Sequence, residues 1–414
     1  MSRSLLLALR SLSVALFFLV IVCGLLGRQA PEQNFAPTFV WIIWWVGLSF
    51  FTALVGNVWP LINPWKVLFE WAEAAARRAG KRLELSKPYP DGLDLWPALT
   101  LYAGFIWVEL VFEGSSTPLD IALLAILYSL LTWAGMVVFG KDVWLRRSEA
   151  FSVYFGILAR FAPTEVRVTV PDHRDERCGT AGGQCVNCYE CFARAAPEER
   201  GLYVRPWAVG LGFAKPASPG GLIFIVFVLA SVTYDSLLVT PLWSELVGLV
   251  PLSRTLGTVA LPVLFLVVYL GFVKLSQFYG GSYVPFRHLA AVYVYSLVPI
   301  AIAYQVAHYY TFLIIQGQAI LPLLSDPFGW GWNLFSTAGY RIHAGLFDAA
   351  FVWYSQVALV VVGHVIAVYL AHVVALRLLR HPRLATRSQY PMLALMILYT
   401  IFSLWILSQP TVEN

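Results

Sequence analysis

Four of the five cysteines in this 414-residue chain fall within fourteen residues, as Cys178-Gly-Thr-Ala-Gly-Gly-Gln-Cys185-Val-Asn-Cys188-Tyr-Glu-Cys191. Glycines let a backbone curl until several thiolates converge on one point, so the run is a candidate metal site. Zinc favours four cysteines supplied as separated pairs. The tandem C-x2-C-x2-C step, with Cys178 as an upstream fourth ligand, instead matches the ligand spacing of an iron–sulfur cluster. Zinc and iron–sulfur both stay open, beside a plain set of free or redox-active thiols. The charge distribution described below puts the run in the cytoplasm, where thiols are kept reduced and disulfides are not expected. Cys23 sits inside an apolar stretch and reads as packing.

A second set of chemistry-bearing residues lies inside apolar segments, where ionisable groups are expensive and face a cavity or a partner. At about 1.5 Å per residue, Glu109 falls roughly 6 Å below the outer end of its segment, Asp235 about 8 Å and His308 about 10 Å. Glu113 falls one helical turn above Glu109, and Ser355 and Gln356 reach a similar depth on another segment. Asp326, His343 and Asp348 lie in the loop above them. Carboxylates and an imidazole from three segments at one level could hold a hard or borderline metal ion that activates water. The plainer alternative is a set of solvated helix ends and one packed histidine. His364 and His372 are about 12 Å apart along one helix, too far to share an ion. His288 and His381 fall at segment ends and read as interfacial.

The elements that must position these residues follow from composition. Hydrophobic residues make up 59% of the chain and charged residues 12%, about half the charge an ordinary soluble domain needs to cover its surface. A crossing of the bilayer takes roughly 20 apolar residues. Nine segments qualify: 6–27, 36–56, 95–113, 118–140, 220–240, 256–276, 289–315, 349–376 and 390–408. Of the 28 Lys and Arg, only Arg28, Arg254 and Arg341 fall on one side of these nine crossings, and the other 25 fall on the opposite side. Basic residues mark the cytoplasmic side. The fold expected is all-α, a polytopic transmembrane bundle with its N-terminus in and its C-terminus out, multi-pass in the bacterial cytoplasmic (inner) membrane. The net charge of +5 therefore marks topology and lipid contact and does not imply nucleic acid. The first segment lacks a small-x-small cleavage site and reads as a retained helix.

Three regions result: spans one to four within 1–140, a cytoplasmic loop over 141–219 that holds the cysteines, and spans five to nine within 220–414. Asn63-Pro64 is a good helix start, and 65–85 reads as an amphipathic helix on the inner surface, with Leu68, Trp71 and Ala75 on one face. Asp142 to Phe161 reads the same way, with Trp144, Phe151, Phe155 and Leu158 on the apolar side. The external loop 316–348 is aromatic, with Asp326-Pro-Phe-Gly-Trp330-Gly-Trp332-Asn333, as a binding lid or an interfacial anchor would be. No Walker A, G-x-S-x-G, H-E-x-x-H or G-x-G-x-x-G run occurs, and no internal repeat is visible.

Asn34-Phe-Ala-Pro-Thr-Phe-Val-Trp41 with Val55-Gly-Asn-Val-Trp-Pro-Leu-Ile-Asn-Pro-Trp65 resembles the bacterial integral membrane fenitrothion hydrolase-like family. The resemblance extends to Trp107-Val-Glu-Leu110, to Asp235 in Tyr-Asp-Ser, to the Asp326 loop and to Gly363-His-Val-Ile-Ala-Val-Tyr-Leu-Ala-His372, and so covers most of the chain. It implies hydrolysis of a hydrophobic organophosphorus triester to a phosphodiester and a phenol, and carries no catalytic residues with it. In such an enzyme Glu109, Asp235 and His308 would hold the metal that activates water. Two other classes fit the residues: a redox protein passing electrons from the cysteine cluster, and an ion or small-molecule transporter using the intramembrane carboxylates.

Overall fold

The computed structural model describes residues 3–169, 184–188, 191–192, 195–247, 253–379 and 381–409. Helices α1 (Arg3–Leu26) and α2 (Phe35–Leu54) precede a shorter helix, α3 (Pro64–Arg78). Next come α4 (Trp96–Leu110), α5 (Pro118–Phe139), α6 (Lys141–Arg147) and α7 (Ala150–Leu158). A small sheet follows, with β1 (Thr164–Thr169), β2 (Gln184–Val186) and β3 (Arg200–Val204). The chain ends in α8 (Pro219–Leu238), α9 (Ser253–Tyr279), α10 (Phe286–Ser325), α11 (Ala349–Leu378) and α12 (Pro382–Ser408). The protein is an all-α membrane bundle, with eight helices among the described residues long and apolar enough to cross a bilayer.

The ninth crossing, α4, has only 15 residues, about 22 Å of helix. Its ends show that it crosses nonetheless. Asp94, just before it, accepts from the Gly220 amide at the start of α8, 2.7 Å away. Trp107, near its other end, donates to Thr255 at the start of α9, 3.2 Å away. Since α8 crosses between Gly220 and Thr255, α4 spans the same distance beside it.

Contacts between loops respect the charge division. On the lysine- and arginine-poor side, the Arg28 amide donates to Phe328 O at 2.9 Å, Gln29 accepts from the Leu119 amide at 2.9 Å, and Trp41 donates to Ser115 O at 2.8 Å. On the basic side, Arg10 pairs with Glu70 and Lys141 with Glu73, each at 3.1 Å, and Arg377 donates to Gly212 O. None of these links joins the two sides.

Helix α3 starts as its sequence dictates, with Asn63 Oδ1 accepting from the Lys66 amide at 3.1 Å and Pro64 in the first turn. It stops at Arg78 rather than Leu85. The following segment lies along the end of α5, where the Leu85 and Lys87 amides donate to Val137 O and Val138 O at 2.7 and 2.8 Å. Helix α10 continues to Ser325, so the external loop is shorter than 316–348.

The stretch 142–161 corrects the sequence expectation most. It is two helices broken at Ser148-Glu149, and α7 does not lie on the membrane surface. Phe151, Tyr154, Phe155 and Leu158 are all buried, and the ring of Phe151 packs edge-on to Trp44 at 4.7 Å. Helix α7 re-enters the bundle. Its start is held by the fully buried Glu149, which accepts from the Phe151 and Ser152 amides at 3.0 and 2.7 Å and from Tyr128 at 2.5 Å. A buried carboxylate is tolerable only with its lone pairs used in this way. Gly135 on α5 makes room for α6, since a Cβ there would stand 2.3 Å from the Trp144 ring.

The small sheet, ordered β2-β1-β3 and antiparallel throughout, adds strands to the cytoplasmic loop that the apolar pattern of the chain does not predict. It hangs from the end of α7 by Arg205, which pairs with Glu165 of β1 and donates to Arg160 O and Ala162 O at 3.1 and 3.2 Å. Both partners are buried. Burial pulls Arg205 below the usual arginine range while Glu165 opposes that fall.

Candidate functional site

Two of the three intramembrane residues meet directly. His308 on α10 places Nε2 3.0 Å from Asp235 Oδ2 on α8, and its Nδ1 3.0 Å from the Ser236 hydroxyl. The same Asp235 oxygen accepts from the Tyr309 hydroxyl. Glu109 on α4 faces Asp235 across a small cavity, which is also lined by Trp45, Tyr154, Gln305 and Tyr309. Trp45 Nε1 donates to Glu109 Oε1 at 2.7 Å. The cavity measures about 20 Å³, room for about one water molecule. Among the described residues, no lysine or arginine lines it.

Each wall has a local cause. Residues Thr38–Gly47 of α2 form a π-helix, a winding that recurs at functional sites because it re-aims side chains. Here Trp41 bonds to the outer loop while Trp45, four residues on, turns to Glu109. Tyr154 arrives on the re-entrant α7 and donates to Gln305 Oε1 on α10 at 2.9 Å. Its ring stacks on Tyr102 with centroids 5.3 Å apart.

Glu109, Asp235 and His308 do not place their ligand atoms within 4.8 Å of one another; among the described residues only Cys185, Cys188 and Cys191 form such a group. One ion shared by the three intramembrane residues does not fit this geometry, and we assign no metal to them. The other polar residues at this level have structural partners. Helix α4 ends at Leu110, so Glu113 stands in a separate 3-10 turn rather than one turn above Glu109. Asp326 accepts from the Trp330 and Gly331 amides at 2.9 and 2.7 Å, and Asp348 caps α11 through the Phe351 amide at 2.6 Å. Ser355 and Gln356 bond to Tyr310 and to Ala307 O. His372 bonds to Gln389 at 2.7 Å, and His364 to Val360 O at 2.8 Å.

Trp45, Tyr154, Gln305 and Tyr309 were not singled out in the sequence. Tyr309 adjoins His308 and Gln305 is a polar residue within a span, so both carried a signal. Trp45 and Tyr154 carried none, because an aromatic in an apolar segment reads as packing.

The cysteines sit on the sheet. Cys185 lies on β2 opposite Val168 of β1 and is buried. Asn187 then adopts a left-handed conformation, with φ of 54°, and its side chain accepts from the Val166 amide at 3.0 Å. That turn brings Cys188 back towards Cys185. The Cys191 amide donates to Cys188 Sγ at 3.5 Å. The three sulfurs lie within 4.8 Å of one another, close enough to hold a metal ion. Cys178 lies outside the described residues. Cys188 carries a free thiol, whereas Cys185 is disulfide-bonded, contrary to the reduced state expected of the whole run. Sulfurs gathered to metal-binding distance are also within reach of oxidation.

On the basic-poor side a larger groove of about 670 Å³ opens between the Arg28–Thr38 segment and the loop that carries Asp326 and Tyr340, with Trp41 on its floor. Comparison with protein-family models, characterised proteins and solved structures finds no match.

Proposed function

We propose that this multi-pass protein is a proton-coupled transporter of the bacterial cytoplasmic membrane, in which Asp235, His308 and Glu109 take up and release the proton. The observation that carries the reading is the cavity itself. Two carboxylates from different helices line one water-sized space inside the bundle, with no lysine or arginine beside them among the described residues. Like charges that line one small cavity in a medium of low dielectric cannot both stand uncompensated. Protons are the compensating charge that fits the space, and His308 and Tyr309 on Asp235 Oδ2 can each give or take one. The outer groove is of a size to receive a small solute. Trp41 in the groove and Trp45 in the cavity belong to one turn of α2, which gives groove occupancy a mechanical route to the proton site.

A hydrolase remains the second reading, favoured by the same groove. An aryl phosphotriester cannot enter about 20 Å³ between Glu109 and Asp235, but it fits the groove, whose walls are partly apolar and open towards the membrane surface. Membrane lipids and a hydrophobic small molecule are the partners under either reading.

For the cysteine site we propose a single zinc ion on the cytoplasmic side. A tetrahedral ion with Zn–S of about 2.3 Å draws its sulfurs close together. An iron–sulfur cubane binds each thiolate to a different iron and spreads them. The short sulfur separations favour the single ion, with Cys185 a ligand only once reduced.

The test of the transport reading uses purified protein in liposomes with an entrapped pH dye and an imposed membrane potential. Proton flux is expected in the wild type and at least a tenfold loss in Asp235→Asn. Flux at the wild-type rate in Asp235→Asn would remove the assignment. Triester cleavage without proton flux in the same vesicles would favour the hydrolase.

A further inference from the structure

Three buried polar atoms have no hydrogen-bond partner among the described residues: the Tyr304 hydroxyl, Ser403 Oγ and His364 Nε2. They belong to three helices, α10, α12 and α11. His364 is only 6% exposed. Its Nδ1 bonds to Val360 O at 2.8 Å; a carbonyl can only accept, so the proton sits on Nδ1 and Nε2 keeps a free lone pair. Unpaired polar atoms are costly in a membrane interior, where nothing else can solvate them. Three of them need a common explanation.

Their neighbours supply it. Tyr304 stands one helical turn before His308, and its hydroxyl lies near Ser236, the residue bonded to His308 Nδ1, without a formed hydrogen bond to it. Tyr304 also lies within electrostatic reach of Tyr399. The Tyr399 hydroxyl bonds to Thr233 and lies within reach of Ser403, and its ring centre is 5.7 Å from that of His364. Asp235, His308, Ser236, Tyr304, Tyr399 and His364 thus form a file of groups that can each take and give a proton. It is walled by Val232, Ala307 and Val360. Gly363 permits the approach of α11 to α10 there, since a Cβ would stand 2.3 Å from that of Ala303.

We propose that this file is a proton relay, and that His364 is a second proton-binding site, deeper in the membrane than Asp235. The inference rests on the proton-transport reading and extends it. In one transfer, His308 gives its Nδ1 proton to Ser236 Oγ and recovers one at Nε2 from the Asp235 carboxyl. Ser236 passes its own hydroxyl proton to Tyr304, and Tyr304 passes its own towards Tyr399 and His364. The last group binds the arriving proton at Nε2 and becomes imidazolium. One proton leaves the Asp235–His308 pair, one is gained at His364, and nothing is oxidised or reduced. The three unpaired atoms are sealed from solvent, so the transfers from Tyr304 to Tyr399 and on to His364 Nε2 proceed by rotation of the two tyrosine side chains.

The liposome flux assay tests the relay with His364→Leu and Tyr304→Phe beside Asp235→Asn. The relay predicts at least a tenfold loss in all three. If the first two run at the wild-type rate while Asp235→Asn is inactive, the relay is overturned and the transport reading stands. If Asp235→Asn also runs at the wild-type rate, both fall. A second measurement needs no variant in the file. In 15N-histidine-labelled wild type in lipid nanodiscs, His364 should carry its proton on Nδ1 at high pH and gain one at Nε2 on acidification. An imidazole protonated at Nε2 alone, or one that never titrates, would contradict the proposal.

Discussion

Tyr154 donates its hydroxyl to Gln305 Oε1 at 2.9 Å, and this bond joins the re-entrant α7 to the centre of the transmembrane bundle. It also fixes one wall of the cavity between Glu109 and Asp235. Helix α7 begins on buried Glu149 and ends where Arg205 holds the cysteine-bearing sheet, so a single short helix connects the two candidate sites.

Replacing Gln305 with Leu should leave the Tyr154 hydroxyl buried without an acceptor and destabilise the bundle by about 1–3 kcal/mol. Adding Tyr154→Phe should recover part of that loss, because both polar partners are then gone. Thermal unfolding of the three variants in nanodiscs checks this; a double variant less stable than Gln305→Leu alone would show that the bond is incidental.

Glu165→Ala should strand the buried Arg205 guanidinium and loosen the sheet by about 3–5 kcal/mol. Burial already draws Arg205 below its usual range, with Glu165 as the opposing charge. Hydrogen exchange of residues 164–169 and 200–204 should rise sharply in this variant and recover in part with Arg205→Leu added. Unchanged exchange would place the anchor elsewhere.

Reduced, purified protein should contain one zinc per chain, and Cys185→Ser, Cys188→Ser and Cys191→Ser should each lose it. Metal analysis after dialysis reads this directly. Full occupancy in any two of these variants, or iron with sulfide in the wild type, would exclude a single zinc.

Reporters fused after Lys87 and Ser388 should face the cytoplasm, and those after Ser116 and Ser325 the outside. The pair at Lys87 and Ser116 matters most, because the intervening α4 has only 15 residues. Both on one side would mean that α4 does not cross.

The crossings were legible because lipid demands long apolar runs and the basic residues mark one side of them. The depth of Asp235 and His308, counted at one rise per residue, brought together a pair that the fold places 3.0 Å apart. What could not be read has physical reasons. Phe151, Phe155 and Leu158 make an apolar face whether a helix lies on lipid or enters the bundle, and only the partners of Glu149 decide between the two. The three strands are short; Glu165-Val-Arg-Val168 does alternate as a half-buried strand would, but four residues are too few to stand out, and their pairing depends on contacts distant in sequence. Trp45 and Tyr154 are large apolar bodies with one polar atom each, and nothing local says where that atom points.

The central claim is that Glu109 and Asp235 bind a proton inside the membrane, and infrared difference spectroscopy of the protein in bilayers tests it most directly. Stepping the pH should produce a band from the carbonyl of a protonated carboxylic acid. That band should weaken or shift in Glu109→Gln and in Asp235→Asn, and vanish when both are replaced. A difference spectrum identical in the wild type and the double variant would contradict the account.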